Sequence, residues 1–226
     1  MIKTGLILSG CGYLDGSEIH EAVFSLYFLD KYGAEAICMA PDMNLNVMNH
    51  ITNKPVPETR NVLIESARIA RGKIRNIKDV KASELDAVIL PGGFGAAKNL
   101  CDFAAKGPQA APHPEVARLL REMHRLKKPI GAICISPALI ACVFKEEPVK
   151  PLLTIGTDKQ TAEALRKMNA RHESHSVREI AVDRENKIVS TPAYMLGERI
   201  SEVGDGIEKL IREVLSLVRQ SAEALR

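Results

Sequence analysis

The sequence lacks tryptophan altogether, and aromatic residues make up only 4% of its 226 residues. Proteins that hold single-stranded nucleic acid commonly stack the bases on aromatic side chains. Clustered positive charge is also scarce, because the formal net charge is only +3 and the nearest approach to a basic patch is Arg125, Lys127 and Lys128. Electrostatic binding of nucleic acid needs basic residues gathered on one face. We therefore predict no nucleic-acid partner.

Long apolar runs and paired cysteines are also missing. No run approaches the roughly 18 apolar residues that a membrane-spanning helix needs, so no membrane partner is predicted. The cysteines number only five, at positions 11, 38, 101, 134 and 142, an odd count that argues against a disulfide framework and favours a reducing compartment. A strand pattern begins at Ile2 and leaves no room for a leader peptide, so the predicted location is cytoplasmic. No cysteine pair has zinc-finger spacing, and no metal or other cofactor is predicted.

Short apolar runs alternate along the chain with segments of helical periodicity. Runs that are apolar on both faces suit buried parallel strands, so the predicted fold class is an α/β sandwich with a mostly parallel central sheet and a C-terminal hairpin. Residues 42–57 have little pattern and are expected to form a lid, an interface segment or a mobile stretch. Strands are predicted at 4–9, 35–40, 86–90, 130–133 and 152–155, a hairpin at 179–192, and helices at 18–29, 60–71, 114–126, 161–168 and 198–219.

Cys134 is the candidate nucleophile. In an open α/β sheet, sites lie beyond the carboxyl ends of the strands, and the predicted strand 130–133 runs directly into this cysteine before a helix begins. Ala132 and Ser136 place small side chains two positions on either side, as in the nucleophile elbow of hydrolases. The N-terminus of the helix would favour the thiolate. The alternative is a thiol buried in the core.

A thiolate nucleophile needs an acid or base partner, and the start of the first predicted helix offers two carboxyl groups. Glu18 and Glu21 are three residues apart and so share one helix face. Asp15 and Glu18 fit an N-terminal capping box, which would give Glu18 a structural role. Glu21 lies one turn deeper, where burial would raise its pKa and let it donate a proton to the thiolate. The alternative for Glu21 is an exposed charge on the helix.

A proline-glycine-glycine turn ends a third strand and opens a further helix. Because glycine leaves the backbone exposed, the N–H groups of Gly92, Gly93 and Ile135 are predicted to hold an oxyanion. The glycine spacing fits neither the dinucleotide-binding fingerprint nor the phosphate-binding loop. The sequence therefore favours an acyl- or carbonyl-binding turn over a nucleotide site.

Two further residues could reach the same edge of the sheet. Cys11 lies between two glycines at the end of the first predicted strand, and His20 precedes a candidate acid directly. Both are candidate accessory groups, and their alternatives are a packed thiol and a surface histidine. The segment 113–115 has the His-x-Glu spacing of an amidotransferase, but it precedes the candidate nucleophile and lies at a proline-rich helix start. We therefore do not place it in the site.

Three of these segments, in this order, resemble the class I glutamine-amidotransferase-like superfamily in its Parkinson-protein/PfpI branch. They are the Ser-Glu-x-x-Glu-Ala-Val helix start, the Leu-Pro-Gly-Gly turn with its following Asn-Leu, and the nucleophile elbow, at residues 17–23, 90–100 and 132–137. The chain is more closely similar to the ElbB group, named for enhancing lycopene biosynthesis. That likeness covers nearly the whole chain and is carried by residues 7–23, 59–69, 91–99, 154–157 and 191–196.

The resemblance implies a flavodoxin-like fold, a homodimer, and one glutamine-amidotransferase-like domain over 1–226 with an insertion at about 44–72. It gives Glu21 the position of the carboxyl that contacts the cysteine. The ElbB group implies cofactor-independent glyoxalase activity on small reactive aldehydes, and its name implies a link to isoprenoid biosynthesis. In a departure from many active relatives, Ile135 replaces the histidine after the nucleophile, and no histidine matches the third catalytic position. We expect slow turnover, because general acid–base catalysis typically contributes about 10²- to 10⁴-fold.

The leading hypothesis is a weak glyoxalase in which Cys134 attacks glyoxal or methylglyoxal and Glu21, with Glu18 beside it, moves the proton. Two alternatives stay open. A cysteine in contact with an acid could instead serve a redox sensor or stress-response protein and be oxidised to sulfenic or sulfinic acid. The third hypothesis is an amidohydrolase, against which the absence of a His-x-Glu pair after the nucleophile argues.

Overall fold

A computed structural model describes residues 1–223 of the chain. The strands are β1 (Ile2–Ile7), β2 (Ala34–Ala40), β3 (Asn44–Asn49), β4 (Lys54–Asn61), β5 (Arg75–Asn76), β6 (Ala87–Leu90), β7 (Ile130–Ile133), β8 (Leu152–Leu153), β9 (Arg171–His172), β10 (Ala181–Asp183) and β11 (Ile188–Thr191). The α-helices are α1 (Ile19–Lys31), α2 (Val62–Ile69), α3 (Phe94–Lys98), α4 (Phe103–Lys106), α5 (Pro114–Arg125), α6 (Ser136–Phe144), α7 (Lys159–Lys167) and α8 (Ile200–Glu223). None of these helices is long and apolar enough to span a membrane.

Seven strands form the central sheet in the order β10-β11-β7-β6-β1-β2-β5. Every neighbouring pair is parallel except β10 with β11, which are antiparallel. The predicted α/β class, the mostly parallel sheet and the C-terminal hairpin are confirmed. Because β7, β6 and β1 are adjacent, their carboxyl ends bring together three segments that lie far apart in the sequence.

Two apolar cores cover the two faces of this sheet. Val88 and Leu90 of β6 point into the core beneath α3 to α7, whereas Ala87 and Ile89 point into the core beneath α1, α2 and α8. Strands that are buried on both faces read as continuous apolar runs, which is why the central strands were visible in the sequence. The helices hold this sheet from both sides, so the strand ends are fixed in position.

Two parts of the chain differ from the prediction. Residues 42–57, expected to be irregular, contain most of an antiparallel pair, β3 with β4. Only β3 carries a buried alternation, through Leu45 and Val47, while β4 is largely exposed and contains two prolines. The strand predicted at 152–155 is outside the central sheet, because β8 pairs with β9 instead. A strand of only two residues is too short for its sequence pattern to show whether it joins the central sheet or a separate pair.

Candidate active site

The chain turns sharply at Cys134, between the end of β7 and the start of α6. Its φ of 61° lies in the left-handed region, which is uncommon for a residue other than glycine and costs on the order of 1–3 kcal/mol. Two hydrogen bonds fix the turn: Cys134 N donates to Thr191 O at 2.9 Å, and Ser136 Oγ donates to Pro91 O at 2.8 Å. These contacts hold the turn against β11 and against the end of β6.

The thiol is almost fully enclosed, with Cys134 only 7% exposed. The backbone N–H groups of Gly93 and Ile135 and the carboxyl of Glu21 lie close to the sulfur. Burial, followed by the Glu21 charge, raises the pKa of the thiol well above its ordinary value, and the two N–H groups oppose that rise. The sulfur therefore lies where two backbone donors and one acid converge.

Glu21 is wholly buried on the first turn of α1. Its Oε2 accepts a hydrogen bond from Gly92 N at 2.7 Å, and its Oε1 accepts a longer one from Tyr194 N at 3.4 Å. Burial, with a further contribution from Glu18, raises the pKa of Glu21 from 4.5 to about 8. At neutral pH this carboxyl is mainly protonated and can donate towards the sulfur, so it is not an exposed helix charge.

Glu18 is the N-cap of α1, because its Oε2 accepts a hydrogen bond from Glu21 N at 2.8 Å. The capping box predicted from Asp15 is wrong: the Asp15 carboxyl accepts from Met48 N at 2.7 Å and so ties the first loop to β3. Glu18 also lines the cleft in front of the thiol. It therefore holds Glu21 in place and adds negative charge beside it.

The glycine turn after β6 is packed too tightly for any side chain. A Cβ at Gly92 would lie 2.4 Å from the Cβ of Cys134 and 2.7 Å from Glu21 Oε2. Gly93 has a φ of 90°, and a Cβ there would lie 2.5 Å from Glu18 N. Of the three predicted oxyanion donors, Gly92 donates its N–H to Glu21 Oε2. The donors that face the sulfur belong to Gly93 and Ile135.

Tyr194, which the sequence analysis missed, forms one wall of the cleft. It follows β11 in a short turn in which Ala193 has a φ of 44°. Its Oη lies 2.8 Å from His20 Nδ1, and His20 in turn lies 3.8 Å from Glu18 Oε1. The only signal in the sequence was an aromatic residue just beyond a strand end. His20 thus reaches the site through Tyr194.

Cys11 lies on another side of the loop that follows β1. It is half-buried, and its neighbours are Glu65 and Arg68 of α2 together with Asp15. Burial and then Glu65 raise the pKa of the Cys11 thiol. It is absent from the residues that line the cleft at Cys134, so the structure does not bring it together with the candidate nucleophile.

The thiol opens into a cleft of about 1000 Å³. Its lining includes Tyr13, Phe94, Tyr194 and Met195, together with residues of α4 and α7. Within the described residues 1–223, no histidine lines this cleft, and no three His, Cys, Asp or Glu side chains are grouped closely enough to hold a metal ion. The chemistry available in the cleft is that of a thiol, a buried acid and backbone donors.

Sequence comparison shows which known proteins this chain resembles. A sequence model of the DJ-1/PfpI family matches residues 73–143. The chain is 45% identical to the ES1 protein homolog, mitochondrial, of Rattus norvegicus, covering 95% of this chain and 84% of that protein. It is 44% identical to the human glutamine amidotransferase-like class 1 domain-containing protein 3, mitochondrial, covering 95% of this chain and 83% of that one.

Solved structures agree with this placement. A crystal structure of an isoprenoid biosynthesis protein with an amidotransferase-like domain, from Ehrlichia chaffeensis, has a TM-score of 0.89 at 36% identity and covers 95% of this chain and 99% of its own. A glyoxalase III from Candida albicans has a TM-score of 0.61 at 13% identity, covering 96% of this chain and 97% of its own. The second likeness shows a shared fold alone.

These relatives correct one prediction and establish one relationship. The predicted cytoplasmic location is wrong on this comparison, because relatives from rat, human and Danio rerio are all named as mitochondrial. An odd number of free cysteines reports a reducing environment and cannot distinguish one reducing compartment from another. From the length and identity of these matches, the chain belongs to the DJ-1/PfpI family of the class I glutamine-amidotransferase-like superfamily.

Proposed function

We propose that this protein is a cofactor-independent glyoxalase of low activity, which converts glyoxal or methylglyoxal to the corresponding 2-hydroxy acid. The observation that carries the proposal is the convergence on the Cys134 sulfur of two backbone N–H groups and the buried Glu21 carboxyl. That arrangement supplies a nucleophile, donors for a developing negative charge and a group that can move protons. Each function is needed when a thiol adds to an aldehyde.

The nucleophile forms when the Cys134–Glu21 pair loses one proton. Two ionisable groups in contact titrate as a unit, so the remaining negative charge and proton are shared between them. The N–H groups of Gly93 and Ile135 stabilise negative charge on the sulfur. When the shared proton lies on Glu21, its O–H would donate to the thiolate. Because the pKa of Glu21 is about 8, turnover is expected to rise as the pH increases from 6 to 9.

The reaction then proceeds by proton transfers through Glu21. The thiolate forms a C–S bond to an aldehyde carbon, and the Glu21 proton passes to the carbonyl oxygen to give a hemithioacetal. The resulting carboxylate takes the hydrogen from that carbon and returns it to the neighbouring carbon through an enediol, while the hydroxyl proton passes between the two oxygens. The product is a thioester, and water cleaves its C–S bond to release the 2-hydroxy acid and the thiol.

Slow turnover follows from the surroundings of Glu21. Because no histidine lines the cleft among the described residues, one carboxyl must serve as both acid and base. A separate general acid–base group is typically worth about 10²- to 10⁴-fold. Among residues 1–223, the polar contacts of His20 are with the Tyr194 hydroxyl and Glu18, so its contribution is indirect.

The proposal is tested by incubating the purified protein with glyoxal in the absence of any added thiol and measuring glycolate. Cys134→Ser should abolish glycolate formation, and Glu21→Gln should reduce it by at least about 10²-fold. Cys11→Ser is the matched control, because that thiol lies outside the cleft, and it should retain wild-type turnover. Equal glycolate formation by wild type and Cys134→Ser would refute the mechanism.

The same contact supports a second candidate, a redox sensor. Peroxide would transfer one oxygen to the Cys134 thiolate and leave as hydroxide, and the Glu21 O–H would then donate to the sulfenate. Intact mass after dilute peroxide separates the two candidates. A single-oxygen adduct that is lost in Cys134→Ser, in a protein without aldehyde turnover, would favour the sensor.

We also propose membership of the ElbB group and, with it, a contribution to isoprenoid biosynthesis. This is supported by the 36% identity to the Ehrlichia chaffeensis protein, which is named for that process. Isoprenoid yield should rise in cells that produce the wild-type chain and not in cells that produce Cys134→Ser. Equal isoprenoid yields from cells that produce wild type and Cys134→Ser would show that any effect on isoprenoid biosynthesis does not depend on this site.

A further inference from the structure

The cleft in front of Cys134 is far larger than glyoxal requires. Glyoxal has only four non-hydrogen atoms, two carbons and two oxygens, whereas the cleft has a volume of about 1000 Å³. Sites of roughly 300–1000 Å³ typically enclose ligands of drug-like size. A two-carbon substrate would fill a small part of this space, so most of the cleft is available for a larger molecule.

The walls of that extra space are mainly apolar. Phe94 lines the cleft and is 48% exposed. Phe103, Ala104 and Pro108 also line it, as does Ala164 of α7. Exposed apolar surface inside a concave site marks a place where apolar ligand atoms are bound. These walls suit a ligand with an apolar body.

The charge in the cleft restricts the substrate further. The described residues that line it include three carboxylates, Glu18, Asp158 and Glu163, but only one cationic side chain, Lys167. Lys167 is the last residue of α7. A substrate with a phosphate or carboxylate group next to its carbonyl would meet more negative than positive charge in this cleft. Anionic carbonyl compounds are thus disfavoured as substrates.

We infer that the substrate of this site is an uncharged 2-oxoaldehyde with an apolar chain several carbons long, rather than glyoxal itself. The inference rests on the proposed function for the chemistry at Cys134 and adds the class of molecule. The aldehyde carbon lies at the sulfur, and the chain lies along Phe94, Phe103 and Ala104. Each methylene that becomes buried is expected to raise kcat/KM by about two- to fourfold.

The first test compares methylglyoxal, propylglyoxal and hexylglyoxal at equal pH. We expect kcat/KM to rise along this series in wild type. Ala104→Trp places an indole in the part of the cleft that α4 lines and should remove the dependence of kcat/KM on chain length. Ala105→Trp, on the same helix but outside the cleft, is the matched control and should keep it. A kcat/KM that is flat or falls with chain length, while methylglyoxal is still converted, would overturn the inference and leave the proposed function standing.

A second readout needs no turnover. Intact mass can follow the labelling of Cys134 by N-ethylmaleimide and N-hexylmaleimide, with rates divided by those for glutathione and with Cys134→Ser identifying the site. A hexyl-to-ethyl ratio well above one, reduced by Ala104→Trp but not by Ala105→Trp, supports the apolar cleft even if no aldehyde is converted. A ratio of one or less would overturn it.

Discussion

Glu21 makes the stability of this protein depend on pH in a direction opposite to that of most carboxyl groups. A pKa raised from 4.5 to about 8 means that the folded state binds a proton more tightly than the unfolded state. The contribution is fully present below pH 4.5 and is lost as the pH rises through about 8. At about 1.36 kcal/mol per pKa unit, the loss between pH 5 and pH 8 is roughly 3–4 kcal/mol.

Glu21→Gln tests this directly, because the amide keeps an acceptor for Gly92 N and cannot ionise. Urea unfolding at several values between pH 5 and pH 8 should show wild type losing stability relative to the variant by roughly 3–4 kcal/mol across the range. Glu185→Gln, at an exposed position, is the control and should follow wild type. Parallel curves for wild type and Glu21→Gln would refute the assignment of a buried, protonated carboxyl.

Three further predictions concern packing and hydrogen bonding. Gly92→Ala should reduce turnover by about 10²-fold and stability by about 1–3 kcal/mol, because its methyl group would lie 2.4 Å from the Cβ of Cys134. The control is Gly204→Ala, inside α8, which should leave turnover and stability unchanged. A fully active Gly92→Ala would contradict the site geometry. Tyr194→Phe should lower kcat by about tenfold or less with unchanged Tm, whereas complete loss would give its hydroxyl a direct role. Asp183→Ala should cost roughly 2–4 kcal/mol in urea unfolding, because the buried carboxylate accepts three hydrogen bonds of 2.7–3.0 Å.

The central fold and the nucleophile turn could be predicted because their signals are local. The run 130–133 is apolar on both faces, ends at Cys134, and continues into a helix with proline in its first turn. The same reasoning found Glu21, since one turn of helix separates it from a recognisable cap. Both signals involve residues that are close together in the sequence, so they can be recognised without the structure.

The remaining parts of the site depend on contacts between distant segments. Tyr194 reaches the cleft only because β11 pairs with β7 beside the nucleophile turn, and no local pattern reports that pairing. The hydrogen bond from Gly92 N to Glu21 could not be predicted for the same reason, since its acceptor lies 71 residues earlier in the chain. Cys11 and Cys134 both follow strand ends, yet the loop after β1 turns Cys11 towards α2. Strand ends identify the edge of the sheet, but not the direction of a side chain at that edge.

The effect of Glu21 on stability favours a chemical role for this residue over a structural one. A glutamine at this position would accept the Gly92 hydrogen bond and could donate to the sulfur, and it would not lose stability as the pH rises. The carboxyl reduces stability at neutral pH by contrast, because its ionisation is opposed by complete burial and by Glu18. The one chemical capacity that it has and glutamine lacks is to give up and recover a proton at the sulfur. A destabilising group at a strained turn is the pattern expected where stability is sacrificed for chemistry, so the same side chain that weakens the fold above pH 5 is the one that should carry the proton.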